Sequence, residues 1–200
     1  MQRSSDAYYA FIDTETTGFD SIRNQVITLS CYVTTKDYEL LGEHHGKFRP
    51  EGKREIVWSN EAEKVHGISY DEALSFPSIP EGIDAYLEFL RQFPSLIFVA
   101  HNTAYDRRML KGTFSRYDRH FDLYGAFREY QDTLKMVKNS GLVSSKSKSL
   151  GVICKELGID HDHHDARSDA LVLIEIHKRC TMKIQDTPIL DNTMEDIEYV

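Results

Sequence analysis

Acidic residues stand at three points of the sequence where an apolar segment gives way to polar residues. The first pair, Asp13 and Glu15, follows the apolar segment Ala7–Ile12. Residues two apart in a strand project from the same face, so their carboxylates lie side by side. Neighbouring carboxylates supply the hard oxygen ligands that a divalent cation prefers. A D-x-E pair also occurs in solvated turns, so this pair by itself leaves both interpretations open.

Asp106 is the second acidic position, in the segment H-N-T-A-Y-D that directly follows the apolar run Leu96–Ala100. Asn102 or Thr103 is a suitable N-cap for the next helix, which puts Asp106 in the first turn. That turn lies near the carboxyl end of the strand, where open α/β sheets bind ligands. A carboxylate in a first turn also complements the helix dipole, so a purely structural role stays open.

His164 and Asp169 form the third position, in the segment H-D-H-H-D-A-R-S-D. Asp165 is a suitable cap for the last helix, which places Asp169 about one turn inside it and His164 on the preceding loop. A histidine beside metal-binding carboxylates suits a general base, because its free pKa of ~6.5 lies near neutrality. The alternatives are that His161, His163 and His164 bind zinc or another transition metal, or that the loop is merely polar.

The segments around these residues carry the patterns of regular secondary structure. The predicted strands are Ala7–Ile12, Gln25–Thr34, Glu39–Phe48 and Leu96–Ala100. The predicted helices are Ser59–Val65, Pro80–Phe93, Thr103–Lys111 (ended by Gly112), Asp132–Lys138, Leu150–Leu157 and Asp165–Cys180. Three consecutive strands followed by alternating helices and strands indicate an α/β domain with a mixed sheet.

Composition and charge narrow the class of protein. The chain has 200 residues, 24 Lys and Arg against 32 Asp and Glu, and a net charge of −8. This excludes a protein that coats nucleic acid through a basic surface, but not an enzyme whose acids hold metal ions. Three widely spaced cysteines without a C-x-x-C pair predict neither a disulfide framework nor a zinc knuckle. Without a signal-peptide segment or an apolar stretch of ~18 residues, we expect a cytoplasmic protein with no membrane contact.

Taken in order, the three acidic segments resemble the DEDDh group of 3′→5′ exonucleases. This group is a branch of the ribonuclease H-like superfamily and includes the proofreading epsilon subunit of bacterial DNA polymerase III. Asp13 and Glu15 in F-I-D-T-E-T-T-G-F match its first motif, and Asp106 matches its second. His164 and Asp169 match the third, with the H-x4-D spacing that separates this branch from relatives with tyrosine there.

The resemblance extends to the segments V-H-G-I at 65–68 and D-T-L at 132–134, and so covers residues 7–180. It implies a ribonuclease H-like fold, with a mixed five-stranded sheet flanked by helices. We therefore expect an exonuclease domain over residues 1–180. Residues 181–200 are acidic and lack periodicity, so we expect a flexible C-terminal tail.

The resemblance also implies a two-metal mechanism with Mg²⁺ or Mn²⁺ as cofactors. Asp13, Glu15 and Asp169 would hold the ion that binds the attacking water. Asp13 would bridge to the second ion, and Asp106 would bind directly or through water. His164 would take the proton from the attacking water. These residues are the predicted catalytic set, and the acids among them are the predicted metal ligands.

On the substrate side, the resemblance implies that Thr14, Thr16 and Thr17 cradle the 3′-terminal nucleotide, with His66 nearby. Thr16 and Thr17 also suit a simple turn, and Asn102 is either a substrate ligand or a helix cap. Further candidates are two aromatic residues for base stacking and three lysines of a Ser/Lys-rich loop for phosphate contact: Phe19, Tyr105, Lys138, Lys146 and Lys148.

The sequence thus predicts a metal-dependent 3′→5′ exonuclease that acts on single-stranded DNA ends and releases nucleoside 5′-monophosphates, in DNA proofreading or repair. An RNase T-like or oligoribonuclease-like exoribonuclease stays open, because no residue reveals contact with a 2′-hydroxyl. Alternatives of another class are a non-catalytic nucleic-acid-binding module and a zinc-binding interaction protein built on residues 161–164. No polymerase-binding segment is evident, and the oligomeric state stays open.

Overall fold

The strands of this chain form a single mixed sheet. The computed structural model describes residues 7–51, 56–117, 123–146, 149–160 and 165–185. Its strands are β1 (Tyr8–Thr16), β2 (Val26–Thr34), β3 (Leu40–Lys47), β4 (Leu96–Ala100) and β5 (Phe127–Asp132). They lie in the order β3-β2-β1-β4-β5, with β2 antiparallel to β1 and β3, and β4 parallel to β1 and β5. The predicted mixed five-stranded sheet is confirmed.

Helices cover both faces of this sheet. They are α1 (Asn60–His66), α2 (Tyr70–Leu74), α3 (Ile79–Arg91), α4 (Thr103–Ser115), α5 (Leu123–Ala126), α6 (Thr133–Ser140), α7 (Leu150–Leu157) and α8 (Ala166–Gln185). Alternate residues of the central strand β1 enter different cores. Ala10 and Ile12 belong to the core shared with α3 and α4, whereas Tyr9 and Phe11 belong to the core shared with α8. Side chains at the end of β1 can therefore meet residues from both helical layers.

Three elements were absent from the sequence prediction: strand β5 and the short helices α2 and α5. Strand β5 pairs with β4 but lies at the sheet edge, and of its sequence F-R-E-Y-Q-D only Phe127 is fully buried. Such a strand lacks the apolar alternation by which strands are recognised. Helix α2 spans only 5 residues, which is too short for a helical period to show in the sequence.

Two predicted ends, those of β1 and α4, fall short of the observed ends. Strand β1 does not end at Ile12 but continues to Thr16, because its polar residues stay paired with β2, as Asp13 does with Ser30. Helix α4 continues through Gly112 to Ser115. Gly112 is a point of close approach, since a Cβ there would lie 2.5 Å from the backbone oxygen of Ser21.

The last helix also exceeds its predicted length. Helix α8 ends at Gln185, beyond the expected end at Cys180, and the Thr181 hydroxyl donates to the His177 carbonyl at 2.9 Å inside it. Residues 186–200 lie outside the described residues, so the division into an exonuclease domain and a tail stays a prediction. The cysteines are buried free thiols. Within the described part of the chain, no helix combines the length and apolar content needed to cross a membrane.

Candidate active site

Three carboxylates from two elements converge near the carboxyl end of β1. Asp13 and Glu15 project from β1 toward the α8 side, where Phe11 precedes them on the same face. Asp169 lies in the first turn of α8. Each of these three residues offers one carboxylate oxygen, and the three oxygens lie within 4.8 Å of one another. We call Asp13, Glu15 and Asp169 the carboxylate triad.

The capped start of α8 places the third carboxylate. Asp165 accepts a hydrogen bond on its side chain from the backbone N–H of Ser168 at 3.0 Å. Its carbonyl accepts from the N–H of Asp169 at 2.8 Å, and the next residue, Ala170, is fully buried. The predicted cap is confirmed. It starts the helix so that Asp169 faces the end of β1 while Ala170 anchors in the core.

Asp106 approaches from the opposite side of the sheet. It lies in the first turn of α4 and is only 3% exposed. The hydroxyl of Thr14, the β1 residue between the two triad acids, donates to Asp106 Oδ1 at 2.8 Å. Asp106 is therefore a buried carboxylate that accepts a hydrogen bond from β1, unlike a solvent-exposed carboxylate that only complements a helix dipole. Asp106 thus adjoins the carboxylate triad without belonging to the group within 4.8 Å.

Burial and mutual repulsion shift the protonation of these acids. Burial, followed by the charges of Asp106, Glu15 and Asp169, holds the pKa of Asp13 well above its usual range. The same causes, with burial first and Asp169 next, raise the pKa of Glu15 to about 8. Burial raises the pKa of Asp106 to about 7, although the hydrogen bond from Thr14 opposes the shift. The folded chain therefore brings together carboxylates that repel one another when ionised.

This donor set fits a hard divalent cation. The triad offers only oxygen ligands, and no histidine or cysteine joins it among the described residues. Positive charge at the triad would favour the ionised carboxylates and offset the repulsion that raises their pKa values. The carboxylate triad therefore offers the oxygen ligands that a divalent metal ion prefers, and the charge of such an ion would stabilise the ionised acids.

Removing one acid from the triad is expected to stabilise the metal-free protein at alkaline pH. Folded Glu15 keeps its proton up to a pKa of about 8, whereas an unfolded glutamate releases it near 4.5. The folded state binds more protons between these values, so its stability falls as the pH rises through them. In EDTA at about pH 8, Glu15→Gln should raise the free energy of unfolding by roughly 2–4 kcal/mol over the wild type.

Denaturant unfolding at acidic and alkaline pH measures this effect. The difference between Glu15→Gln and the wild type should be small near pH ~4, where the glutamate is protonated in the folded state and largely protonated in the unfolded state. The exposed residue Glu39 supplies the control, since Glu39→Gln should leave stability unchanged at both pH values. A constant difference for Glu15→Gln across this range would contradict the repulsion argument.

A pocket adjoins the carboxylate triad and shares Glu15 with it. The pocket encloses about 300 Å³ between the end of β1, helix α1 and the start of α4. It is lined by Thr14, Glu15, Thr16, Phe19, Ala62, Val65, His66, Asn102 and Tyr105. Four of the predicted substrate residues therefore lie on one surface. The sequence analysis did not predict that Ala62 and Val65 line this pocket. Their spacing places them on the same helix face as His66, and this spacing could have indicated their place beside it.

Thr17 differs from these four residues, and its predicted contact with the substrate stays a prediction. Its side chain is fully buried and does not line the pocket. Its hydroxyl accepts from the backbone N–H of Gln25 at 3.1 Å, and its own N–H donates to the Gln25 carbonyl at 2.9 Å. Thr17 closes the turn after β1. Thr16 does line the pocket, and its hydroxyl lies 2.7 Å both from the Gly18 carbonyl and from the Tyr105 hydroxyl.

The remaining pocket residues are held by backbone contacts. Nδ1 of His66 accepts from the N–H of Ile68 at 3.0 Å, so the neutral ring carries its proton on Nε2. Asn102 precedes α4 in the left-handed conformation, with φ 74°, and its side chain makes no capping hydrogen bond. Its N–H donates instead to Asp132 Oδ1 at 3.1 Å. Asn102 therefore occupies the predicted N-cap position without a side-chain capping bond, and its side chain lines the pocket.

Aromatic side chains flank the pocket. Phe19 is 58% exposed beside it, and Tyr105 lines it while also packing against the core. Lys138 and Lys146 are exposed, but no contact connects either lysine to the pocket among the described residues. Lys148 and the segment 161–164, with His161, His163 and His164, lie outside the described residues. The histidine base and the zinc alternative therefore stay predictions.

The comparison with known families decides the class. The RNase T family model, described as exonuclease, matches residues 10–177. This chain belongs to the RNase T exonuclease family. The family assignment confirms the resemblance to DEDDh exonucleases of the ribonuclease H-like superfamily and the predicted hydrolytic enzyme class.

Curated relatives and solved structures agree with this family. The PolC-type DNA polymerase III of Thermotoga petrophila is 28% identical over 202 residues, covering 97% of this chain but 14% of the polymerase. The epsilon subunit of Escherichia coli DNA polymerase III is 27% identical, covering 85% of this chain and 70% of the subunit. The chain therefore spans only a small part of the PolC-type polymerase it matches.

Two solved structures share the fold. Escherichia coli exonuclease I, in complex with a dT13 oligonucleotide, has a TM-score of 0.78 at 18% identity, covering 90% of this chain and 42% of that protein. The nuclease domain of 3′hExo, a DEDDh family member bound to rAMP, has a TM-score of 0.71 at 15% identity. The match covers 90% of this chain and 94% of that domain.

Proposed function

We propose that this chain is a 3′→5′ exonuclease that hydrolyses the terminal phosphodiester of single-stranded DNA and releases nucleoside 5′-monophosphates. The observation that carries the proposal is the junction of the carboxylate triad with the pocket at Glu15. A nucleotide seated in the pocket would present its 5′-phosphate to the triad. The similarity to DNA polymerase III subunits favours a role in DNA proofreading or repair.

The acids would hold the metal ions of the reaction. Asp13, Glu15 and Asp169 would bind divalent cations, Mg²⁺ or Mn²⁺, and Asp106 would bind directly or through water. Bound in a pair, such ions activate a water and stabilise the leaving 3′-oxygen. The hydrogen bond from Thr14 keeps Asp106 ionised more readily than burial alone would allow, and so available as a ligand.

His164 would act as the general base in this site. It directly precedes Asp165, whose side chain caps the start of α8. A neutral imidazole there would accept the proton of the attacking water, since its ordinary pKa of ~6.5 lies near the working pH. The triad acids would be engaged with metal and less suited to take that proton.

The pocket would select a terminal nucleotide by stacking and by polar contacts. Phe19 and Tyr105 present aromatic surface on which a base of any identity stacks. The Thr16 hydroxyl and the proton-bearing Nε2 of His66 are polar groups of the same pocket that suit sugar hydroxyls. Asn102, exposed at the start of α4, adds an amide. Together these contacts would bind a terminal nucleotide whatever its base.

Digestion of end-labelled oligonucleotides tests the proposed function. DNA and RNA of matched sequence, labelled at the 5′ or the 3′ end, would be incubated with Mg²⁺, Mn²⁺ or EDTA. We expect a stepwise ladder from 5′-labelled DNA and immediate release of mononucleotide from 3′-labelled DNA, only with metal. Faster digestion of RNA would transfer the proposal to an exoribonuclease. Binding without cleavage under any metal would favour a non-catalytic module.

A change at the pocket should weaken substrate binding without slowing chemistry. Phe19→Ala removes an exposed ring from the pocket, and base stacking contributes ~1–3 kcal/mol, so KM for an oligonucleotide should rise about tenfold with kcat nearly unchanged. Ile22, 71% exposed and not among the pocket residues, supplies the matched control Ile22→Ala. Steady-state kinetics measure both constants. Equal effects of the two substitutions would rule out a stacking role specific to Phe19.

A further inference from the structure

Asp106 and Asp169 reach the site from opposite faces of the sheet. Helix α4 belongs to one hydrophobic core and α8 to the other, so the sheet lies between the bodies of the two helices. The site nevertheless requires a fixed separation of their carboxylates. A misplacement of ~1 Å at a reacting centre costs about a hundredfold in rate. Some contact must hold each helix in a defined rotation relative to the sheet.

Gln131, on the edge strand β5, contacts both helices. Its main-chain oxygen accepts a hydrogen bond at 2.8 Å from the hydroxyl of Thr103, the first residue of α4. Its side-chain oxygen lies 2.6 Å from Nε2 of His177 in α8. Its side-chain nitrogen donates to the Glu129 carboxylate at 2.6 Å, which orients the amide with its oxygen toward the histidine. Nε2 of His177 is therefore the donor.

His177 is held at both ring nitrogens. With Nε2 donating to the amide, Nδ1 accepts at 2.9 Å from the hydroxyl of Tyr38, in the turn between β2 and β3, and this hydroxyl also lies 3.2 Å from the hydroxyl oxygen of Thr181 in α8. The side chain is 1% exposed, and its ring centroid lies 4.6 Å from that of Tyr9 and 5.5 Å from that of Phe11. Burial, with a smaller effect of Lys36, lowers the pKa of His177 to about 4, so the neutral ring persists at neutral pH.

The same ring acts on the helix that carries Asp169. His177 lies about two helical turns further along α8, on a segment packed against β1. A rotation of α8 by ~10° would move a carboxylate that lies ~6 Å from the helix axis by about 1 Å. Two directed hydrogen bonds resist such a rotation more strongly than apolar packing, which tolerates small sliding movements.

We propose that the hydrogen-bond chain Tyr38–His177–Gln131 is a positioning device that fixes Asp169 relative to Asp106 and thereby sets the affinity of the carboxylate triad for its divalent cation. The inference rests on the proposed function. None of these residues lines the pocket or belongs to the triad. They are positioning residues, and their effect on catalysis passes through Asp169.

Two substitutions that preserve volume test the proposal. His177→Phe and Gln131→Met each remove the bond between α8 and β5 while leaving the main-chain bond of Gln131 to Thr103. Mn²⁺ binding without substrate, measured by titration calorimetry, should weaken about tenfold in each variant. The kcat for an oligonucleotide should fall by about tenfold to a hundredfold, with KM changed by less than about twofold. The double variant should be no worse than the more affected single variant, because one interaction is lost in all three.

A stability control separates positioning from mere loss of packing. Ile176, also buried in α8 but part of a different apolar cluster, supplies Ile176→Val. It should lower the melting temperature without weakening Mn²⁺ binding. Should His177→Phe fail to fold, Tyr38→Phe removes the contacts of the Tyr38 hydroxyl with His177 and Thr181, both in α8, and should weaken Mn²⁺ binding by about threefold.

Folded variants that bind Mn²⁺ and cleave like the wild type would overturn the inference and leave the proposed function standing. The same holds if Ile176→Val weakens Mn²⁺ binding as much as His177→Phe does. A wild-type chain that neither binds Mn²⁺ nor cleaves any oligonucleotide would overturn the proposed function itself, before any variant is compared.

Discussion

An Asp13→Asn variant is expected to lose roughly a thousandfold or more in kcat, equivalent to about 4 kcal/mol of transition-state stabilisation. Four neighbouring carboxylates, those of Asp106, Glu15, Asp169 and Asp165, act on the pKa of Asp13. Asparagine keeps the shape of the side chain and the pairing of β1 with β2, but it removes the negative charge. The loss should therefore reflect the absent ligand and not a disturbed strand.

Single-turnover digestion of a 5′-labelled oligonucleotide measures the Asp13→Asn effect. The exposed residue Asp37, in the turn between β2 and β3, supplies the control Asp37→Asn, which should cleave at the wild-type rate. The melting temperature of metal-free Asp13→Asn should rise above that of the wild type at neutral pH, because asparagine avoids the cost of burying an acid whose pKa is raised by burial and by its acidic neighbours. Wild-type rates in Asp13→Asn would falsify the assignment of the triad as the metal site.

The second large effect is expected at the proposed base. His164→Gln should lower kcat by about a hundredfold to a thousandfold, the usual contribution of a positioned general base. Glutamine retains hydrogen-bonding capacity but cannot accept a proton near neutrality. Oligonucleotide affinity, measured by anisotropy with Ca²⁺ in place of the catalytic metal, should change by less than about twofold, since the carboxylates and the pocket are untouched.

The pH dependence of His164→Gln gives an independent measurement. In the wild type, kcat should decline below the pKa of the free base, near ~6.5, because a protonated imidazole cannot take the proton from water. The kcat of the variant should not show this decline at acidic pH. His163→Gln, in the same H-D-H-H segment, is the matched control and should retain both the rate and its decline at acidic pH. A normal rate in His164→Gln together with a slow His163→Gln would move the base to His163.

Local sequence determined those parts of the site that depend on short-range geometry. The two-residue spacing of Asp13 and Glu15 puts them on one face of β1 because side chains alternate along a strand. The cap at Asp165 puts Asp169 in the first turn of α8 because a capping carboxylate satisfies the free N–H groups there. These interactions join residues close in sequence, so the pattern contains the information needed to predict them.

Other features depended on contacts between distant segments. Thr14 and Thr17 are close in sequence and chemically alike, yet one bonds Asp106 while the other is buried against Gln25. The pairing of β1 with β2 shifts register between Glu15 and Thr16, and the chain then turns inward. Likewise Gly112, which reads as a helix end, is required for the close approach of Ser21. No local pattern encodes which distant backbone will lie there.

The sequence by itself determined the family, the acids of the site and the mixed sheet, because ordered motifs and strand–helix alternation are properties of the chain. Only the tertiary structure decided how those acids meet. Parallel pairing of β4 with β1 brings α4, and with it Asp106, to the end of β1 where α8 delivers Asp169. The edge strand β5 supplies Gln131 to both helices. The positions of Asp106, Asp169 and Gln131 relative to one another follow from packing across the sheet. The spacing of residues along the chain does not predict that packing.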